Sequence, residues 1–330
     1  MMKESKKNMK KKVKKFFTER RVKNNARHYG VQYPRFSKGA ISIVVISDLH
    51  CGSIKGACSS RPVLANKDSH WELTDEQKEV RKVLVWGAKN LRKRHIDVLI
   101  INGEGIDGEN RHQHGNQSWT SDPLDMVNDV VKLLHELFEW EICYVSRGSK
   151  YHVQVGATDW DEVLAEKLGA IYNSPHSKTS ISDDYGLLRI NGLKILYAHH
   201  ISYSPDPAGK GRPLSKELAN CNDKAETRAD FHIRSHVHSY GEYKAFFEDE
   251  NNYPKMQAII TTPCCKYPDS FLFKGGMGHT VPDIGFVEII VEEDGELFIN
   301  PIVAKPESRE PHISDVNKIL GKKNEKRKKV

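Results

Sequence analysis

The stretch Ile41-Ser42-Ile43-Val44-Val45-Ile46-Ser47-Asp48-Leu49-His50 decides the fold class. Residues 41–47 form a short, β-branched, apolar run that breaks off at the polar Asp48-Leu49-His50. Such a run predicts a buried strand, with chemistry-bearing groups at its end. Outward from it the pattern repeats. Glu76 to Arg94 has the spacing and composition of a helix, and Asp97 to Asn102 reads as a second strand running into the Gly-rich loop Gly103 to Gly108. Leu124 to Trp140 predicts an amphipathic helix, Ile142 to Ser146 a third strand, and Gly148 a turn. Strand, helix and strand in alternation imply a layered α/β domain.

The second half changes character. Trp160 to Leu168 predicts a short helix. After it, Gly186 to His199, Phe231 to Arg234, Tyr240 to Phe247, Met256 to Thr262 and Ile284 to Val291 are strand-like, with few long helices between them. The expectation is a second sheet and therefore a two-sheet α/β/β/α sandwich with helices outside. Pro205 to Pro213 is rich in Gly, Pro and Lys and predicts a mobile loop. There is no internal repeat.

Composition narrows the class. The chain has 330 residues, 38% of them hydrophobic, enough for one large core. No run approaches the roughly 18 to 20 apolar residues of a membrane span, and the lysine-rich N-terminus has no apolar segment behind it, so a soluble protein without a secretory signal is expected. Cys51, Cys58, Cys143, Cys221, Cys264 and Cys265 make no CxxC pair and no spaced ladder, which predicts reduced thiols and a cytoplasmic location. GxxxxGK(S/T) and HExxH are both absent, which disfavours P-loop nucleotide chemistry and the common zinc-peptidase helix.

The net charge of +7 sits at the ends. Residues 1–27 carry twelve Lys/Arg against two Glu and residues 322–330 carry six against one, leaving the middle with 33 basic and 41 acidic residues, a net of −8. Blocks such as Lys10 to Lys15 are solvated tails, or else add salt-sensitive, sequence-independent affinity for nucleic acid or another polyanion.

Five polar clusters lie just past apolar runs: Asp48 and His50; Glu104 and Asp107; Ser149 to His152; His199 and His200; and His236 with His238. Strand ends converge along one edge of an α/β sheet, so these distant residues can meet in a single crevice. Alternation along an extended strand would put Asp48 and His50 on one face, and likewise His236 and His238, so that each pair could bite one cation. Mixed imidazole and carboxylate donors suit one or two divalent transition metals, among Mn, Fe, Ni, Co and Zn, better than Ca or Mg alone.

In this order the motifs ISDLHCGS, INGEGIDG, RGSKYH, YAHH and RSHVHS resemble the calcineurin-like metallophosphoesterase family, whose pattern runs DxH, GDxxD, GNH(D/E), a lone His after a strand, then GHxH. The resemblance spans roughly 41–291, and its style is that of divergent members encoded by phages and prophages, which would place the protein in a host cytoplasm. It implies a basic arm at 1–30, a phosphoesterase domain at 40–305 and a basic tail at 306–330. By resemblance Asp48, His50 and His238 hold one metal, His199 and His236 the other, and Glu104 stands at the bridging position usually filled by Asp. The family's Asn ligand is missing, since only Ser149 follows Gly148, and that weakens the second site. His152 is the implied substrate-facing imidazole. Asp107 is either a turn former beside Gly108 or a support for the site, and His200 is the alternative to His199. His112 and His114 lie in a polar loop near the second motif, with His112 a candidate substrate contact; Lys150 reads as a surface charge. The implied activity is hydrolysis of phosphate esters, above all phosphodiesters of nucleic acid or nucleotides, by metal-activated water. The competing reading is a degenerate site on a nucleic-acid-binding or scaffold protein.

Overall fold

A computed structural model describes residues 36–65, 69–93, 95–108, 117–171, 182–202, 211–248, 254–268 and 282–305. The expected arm at 1–30 and tail at 306–330 lie outside the described residues, as do His112 and His114. The chain divides into Met1–Ala40 and Ile41–Val330. The strands and helices described all belong to the second unit.

In chain order these are β1 (Ile41–Ile46), β2 (Val63–Leu64), β3 (Ser69–His70), α1 (Asp75–Ala88), β4 (Ile96–Asn102), α2 (Pro123–Leu137), β5 (Trp140–Ser146), α3 (Lys150–Val153), β6 (Gln154–Val155), β7 (Thr158–Asp159), α4 (Trp160–Lys167) and β8 (Ser182–Asp183). They continue with β9 (Tyr185–Ile190), β10 (Leu193–Ala198), α5 (Gly211–Asn222), β11 (Phe231–Arg234), β12 (Gly241–Glu248), β13 (Pro254–Thr261), β14 (Ile284–Val291) and β15 (Leu297–Ala304). Among the described residues they form a six-stranded sheet ordered β15-β14-β1-β4-β5-β8 and a five-stranded sheet ordered β12-β13-β11-β10-β9.

The apolar run of β1 is continuous because both its faces are covered. Val44 and Ile46 join Val80, Leu84, Val127 and Val130 from α1 and α2. Ile43 and Val45 point the other way, against Ile195, Phe231, Ile233 and Ile260 of the second sheet. That sheet's outer face seats Leu214 and Leu218 of α5 on Ile259. The result is the expected α/β/β/α sandwich. Ile100, fully buried between the sheets, illustrates what holds it: truncation to Ala costs about 2 to 5 kcal/mol.

Several elements end differently from the sequence expectation. The helix expected to reach Arg94 stops at Ala88, where the Asn90 amide donates back to Trp86 O and the backbone N–H groups of Arg92 and Lys93 turn to the buried Glu288 carboxylate, at 2.7 and 3.0 Å. Its start is fixed by a Thr74/Gln77 capping box. The helix expected to reach Trp140 ends at Leu137, and Trp140 opens β5 instead. The run Gly186 to His199 is two strands, folded back at Asn191 (φ 47°) and Gly192 (φ 80°), a pair suited to a tight hairpin turn. Gly211 to Pro213, expected in a loop, form the first turn of α5, where Pro213 forfeits no helical hydrogen bond; 203–210 lie outside the described residues. β15, unanticipated, is an edge strand containing Pro301, a tolerated position.

β1, β4 and β5 are parallel to one another, as are β10, β11 and β13. The five motifs therefore leave the sheets at the carboxyl ends of strands, where α/β folds bind ligands. Among the described residues no helix is long and apolar enough to cross a membrane. All six cysteines are buried thiols.

Candidate metal centre

Two loops zip together beyond β1 and β4. Asp48 N–H donates to Gly103 O, His50 N–H to Glu104 O and Cys51 N–H to Gly105 O, each at 3.1 Å. The expected extended alternation of Asp48 and His50 is absent: both are left-handed, at φ 50° and 45°, with Leu49 turned into the core. His236 (φ 72°), His238 (φ 54°) and Glu104 (φ 56°) share this conformation. Apart from Asn191 in the hairpin, these are the non-glycine residues with positive φ among the described residues. Such backbone is uncommon and concentrates at functional sites.

Asp48, His50, Glu104 and His238 each offer one ligand atom within 4.8 Å of the others, and so do His199, His200 and His236. Glu104 touches both groups. Its Oε2 is 3.1 Å from His50 Nε2, while Oε1 is 3.2 Å from His199 Nε2 and 3.8 Å from His236 Nδ1. The Ser149 hydroxyl donates to the same Oε1.

The imidazoles are oriented from behind. His199 Nδ1 lies 2.8 Å from the Asn102 carbonyl, which can only accept, so Nδ1 carries a proton and Nε2 is the atom turned to Glu104. His50 Nδ1 is 2.9 Å from Asp107 Oδ1, leaving Nε2 toward Glu104. Asp107, fully buried, also stands 2.9 Å from His152 Nδ1 and 3.3 Å from Lys266 Nζ. It is more than a turn former.

Charge is dense here. Burial pushes the Asp48 carboxyl up, but the facing His199 and His238 outweigh it and bring it down to about 2. The same contest holds Glu104 well below the carboxylate range through His152 and His199, and Asp107 through Lys266 and His152. Burial lowers His199, yet Glu104 and Asp48 raise it to about 9. His238 is likewise held well above its ordinary value, its burial outweighed by Cys264 and Asp48.

The donor set fits divalent transition metals. Buried His199 Nε2 stands 3.2 Å from Glu104 Oε1 and His238 Nε2 3.3 Å from buried Asp48 Oδ1, while His50 Nε2 and His238 Nε2, both imidazole nitrogens, face each other at 3.3 Å. Buried donors crowded this way are costly unless protons or a cation lie among them.

Sequence inspection missed the supports. The Asp161 carboxylate accepts the backbone N–H groups of Glu104, Gly105 and Gly148, at 3.2, 3.1 and 2.8 Å, clamping two motif loops; burial and Asp159 push its carboxyl up to about 7. A row of buried hydrogen bonds through Ser146, Asn102, Ser235, Thr262 and Ser47 stitches the strand ends of both sheets beneath the centre. Lys266, nearly buried behind Asp107, had no motif to mark it. A further group, Cys51, Cys58 and Asp129, is occupied by hydrogen bonds, with Ser59 and Cys51 donating to Asp129 and Gln77 to Cys58.

The class so defined is an α/β/β/α sandwich with a buried carboxylate shared by two imidazole-bearing groups at the strand ends. No protein-family model matches the chain, and neither does any curated protein sequence. Among solved structures it is similar to an archaeal phosphodiesterase (14% identity over 80% of this chain and 100% of that one, TM-score 0.35). It is also similar to zinc-complexed Vps29 from Entamoeba histolytica (11%, 80% and 99%, 0.34) and to a predicted phosphoesterase from Streptococcus pneumoniae (10%, 79% and 95%, 0.28).

Proposed function

We propose that the chain is a metal-dependent phosphoesterase of the calcineurin-like type, acting on phosphodiesters of nucleic acid or nucleotides. The observation that carries this reading is Glu104, whose two carboxylate oxygens lie 3.1 and 3.2 Å from His50 Nε2 and His199 Nε2. Asp48, His50 and His238 would hold one divalent ion, His199 and His236 a second, and Glu104 would be common to both. When bound, such ions supply Lewis acidity to phosphoryl oxygens and lower the pKa of water.

The chain's own groups do the rest. Asp107 and the Asn102 carbonyl fix the tautomers of His50 and His199. Ser149 fixes the Glu104 carboxylate by a hydrogen bond, and Glu104 would do the work of the family's Asp with a side chain one methylene longer. His152, partly exposed and backed by Asp107, would give a proton to the departing ester oxygen. Diesters are favoured by the Lys/Arg excess in 1–27 and 322–330, which would add affinity for a polyanion. The style of the motifs supports a phage or prophage origin and a host cytoplasmic setting.

The test is hydrolysis of p-nitrophenyl phosphate, bis-p-nitrophenyl phosphate, and single- and double-stranded DNA, with Mn, Fe, Ni, Co or Zn supplied in turn. Asp48→Asn is the control. Metal-dependent diester cleavage lost in that variant is expected; metal-independent cleavage would overturn the metal mechanism, and absent cleavage throughout would leave a binding or scaffold protein.

A further inference from the structure

The two groups around Glu104 are unequal in an informative way. On one side Asp48, His50 and His238 give three donors besides Glu104. On the other, His199 and His236 give two. His200 stands beside them: its ring centroid is 5.0 Å from that of His199 and 5.1 Å from that of His236, His199 and His236 are 5.2 Å apart, and all three rings meet edge to face. One ring nitrogen from each lies within 4.8 Å of the others. For His199 that atom is Nε2, because Nδ1 is committed to the Asn102 carbonyl.

Consecutive residues of a strand point to opposite faces, but β10 ends at Ala198, so His199 and His200 are past the alternation and can turn to one point. His199 is fully buried, whereas His200 and His236 are exposed, so the group opens to solvent on the side from which an ion would arrive.

We propose that His200 is a metal ligand, completing a three-imidazole set with His199 and His236. The proposal rests on the reading of a metal-bearing centre around Glu104. It gives the two positions donor sets of different character. The Asp48 side offers two imidazoles and two carboxylates, and the other side three imidazoles, two of which, His199 and His236, adjoin Glu104. The imidazole-rich position selects Zn, Co or Ni over Mn, while the oxygen-richer one accepts Mn. A mixed-metal centre is the natural product.

The experiment measures metal content and affinity, independently of turnover. Full-length wild type, His200→Ala, His200→Gln and Asp48→Asn are stripped with chelator, reloaded with Zn or Co, and analysed by elemental analysis, chelator competition and the visible spectrum of bound Co. Wild type should hold two equivalents. Both His200 variants should keep one and bind the other at least about 100-fold more weakly, since even groups behind a ligand are worth about 10- to 100-fold. The Co spectrum should lose one component in these variants while Asp48→Asn loses the other. Chelated His200→Gln with a wild-type urea midpoint excludes misfolding as the cause. Two equivalents bound with wild-type affinity in both His200 variants would overturn the assignment of His200 alone. Wild type that retains no metal would overturn the centre itself.

Discussion

Raising the pH of the metal-free protein from 6.5 to 9 should unfold it more readily, and the structure sets the size of the effect. His199 is held at about 9 by Glu104 and Asp48, against an ordinary value of 6.5. A histidine whose folded value is raised stabilises fully below its unfolded value and loses that contribution as pH climbs through the folded one. The shift corresponds to about 3 kcal/mol for His199 alone. His238, also raised, acts in the same direction over the same window. Asp161, raised to about 7, loses the remainder of its share just above pH 6.5 and so adds to the same fall. In urea, with a slope of about 3 kcal/mol per molar, the midpoint in chelator should fall by about 1 M between pH 6.5 and 9. Bound ions take the place of those protons, so in excess Zn or Mn the midpoint should stay level or rise over this range, and metal affinity should itself increase with pH. His199→Gln should flatten the chelated profile. A chelated midpoint that is constant or climbs from pH 6.5 to 9 would refute the charge balance described around Glu104.

Three other outcomes can be checked. His152→Ala should keep its full metal content while diester turnover falls about 10²- to 10⁴-fold; unchanged turnover at equal metal would remove His152 from proton transfer. Gly148→Ala builds a Cβ against the Glu104 backbone nitrogen and 2.5 Å from its Cγ, so it should cost about 1 to 3 kcal/mol in urea and release metal. Asp161→Ala frees the loops carrying Glu104 and Gly148 without touching a donor, and equilibrium dialysis should show metal bound about 10- to 100-fold more weakly.

The parts legible in the sequence were those with a period or a sharp change of polarity. The apolar run at β1 and its break at Asp48 announced a buried strand with polar groups at its end, and the same contrast marked β4, β5 and β11. What escaped had local patterns that disagree with their tertiary role. Asn191-Gly192 is a hairpin signal inside a longer strand-like stretch, whose strand propensity on both sides hides the turn. Pro213 and the surrounding glycines masked α5, whose stability comes from Leu214 and Leu218 on Ile259 rather than from propensity. Pro301 masked β15 in the same way. Asp161 looks like any acid in the first turn of a helix, and only the loops folding over it turn it into a clamp. The geometry invoked to bring Asp48 and His50 together was mistaken in mechanism, because the chain leaves the extended region before Leu49.

The left-handed backbone at Asp48, His50, Glu104, His236 and His238 has a consequence for anyone seeking a hardier variant. Each position forfeits on the order of 1 kcal/mol that glycine would recover, so the five together approach the entire margin by which a typical domain stays folded. Glycine there would relieve the backbone but strip away the donors and the charge pairs around Glu104, so a search for hardier variants is better aimed elsewhere in the chain.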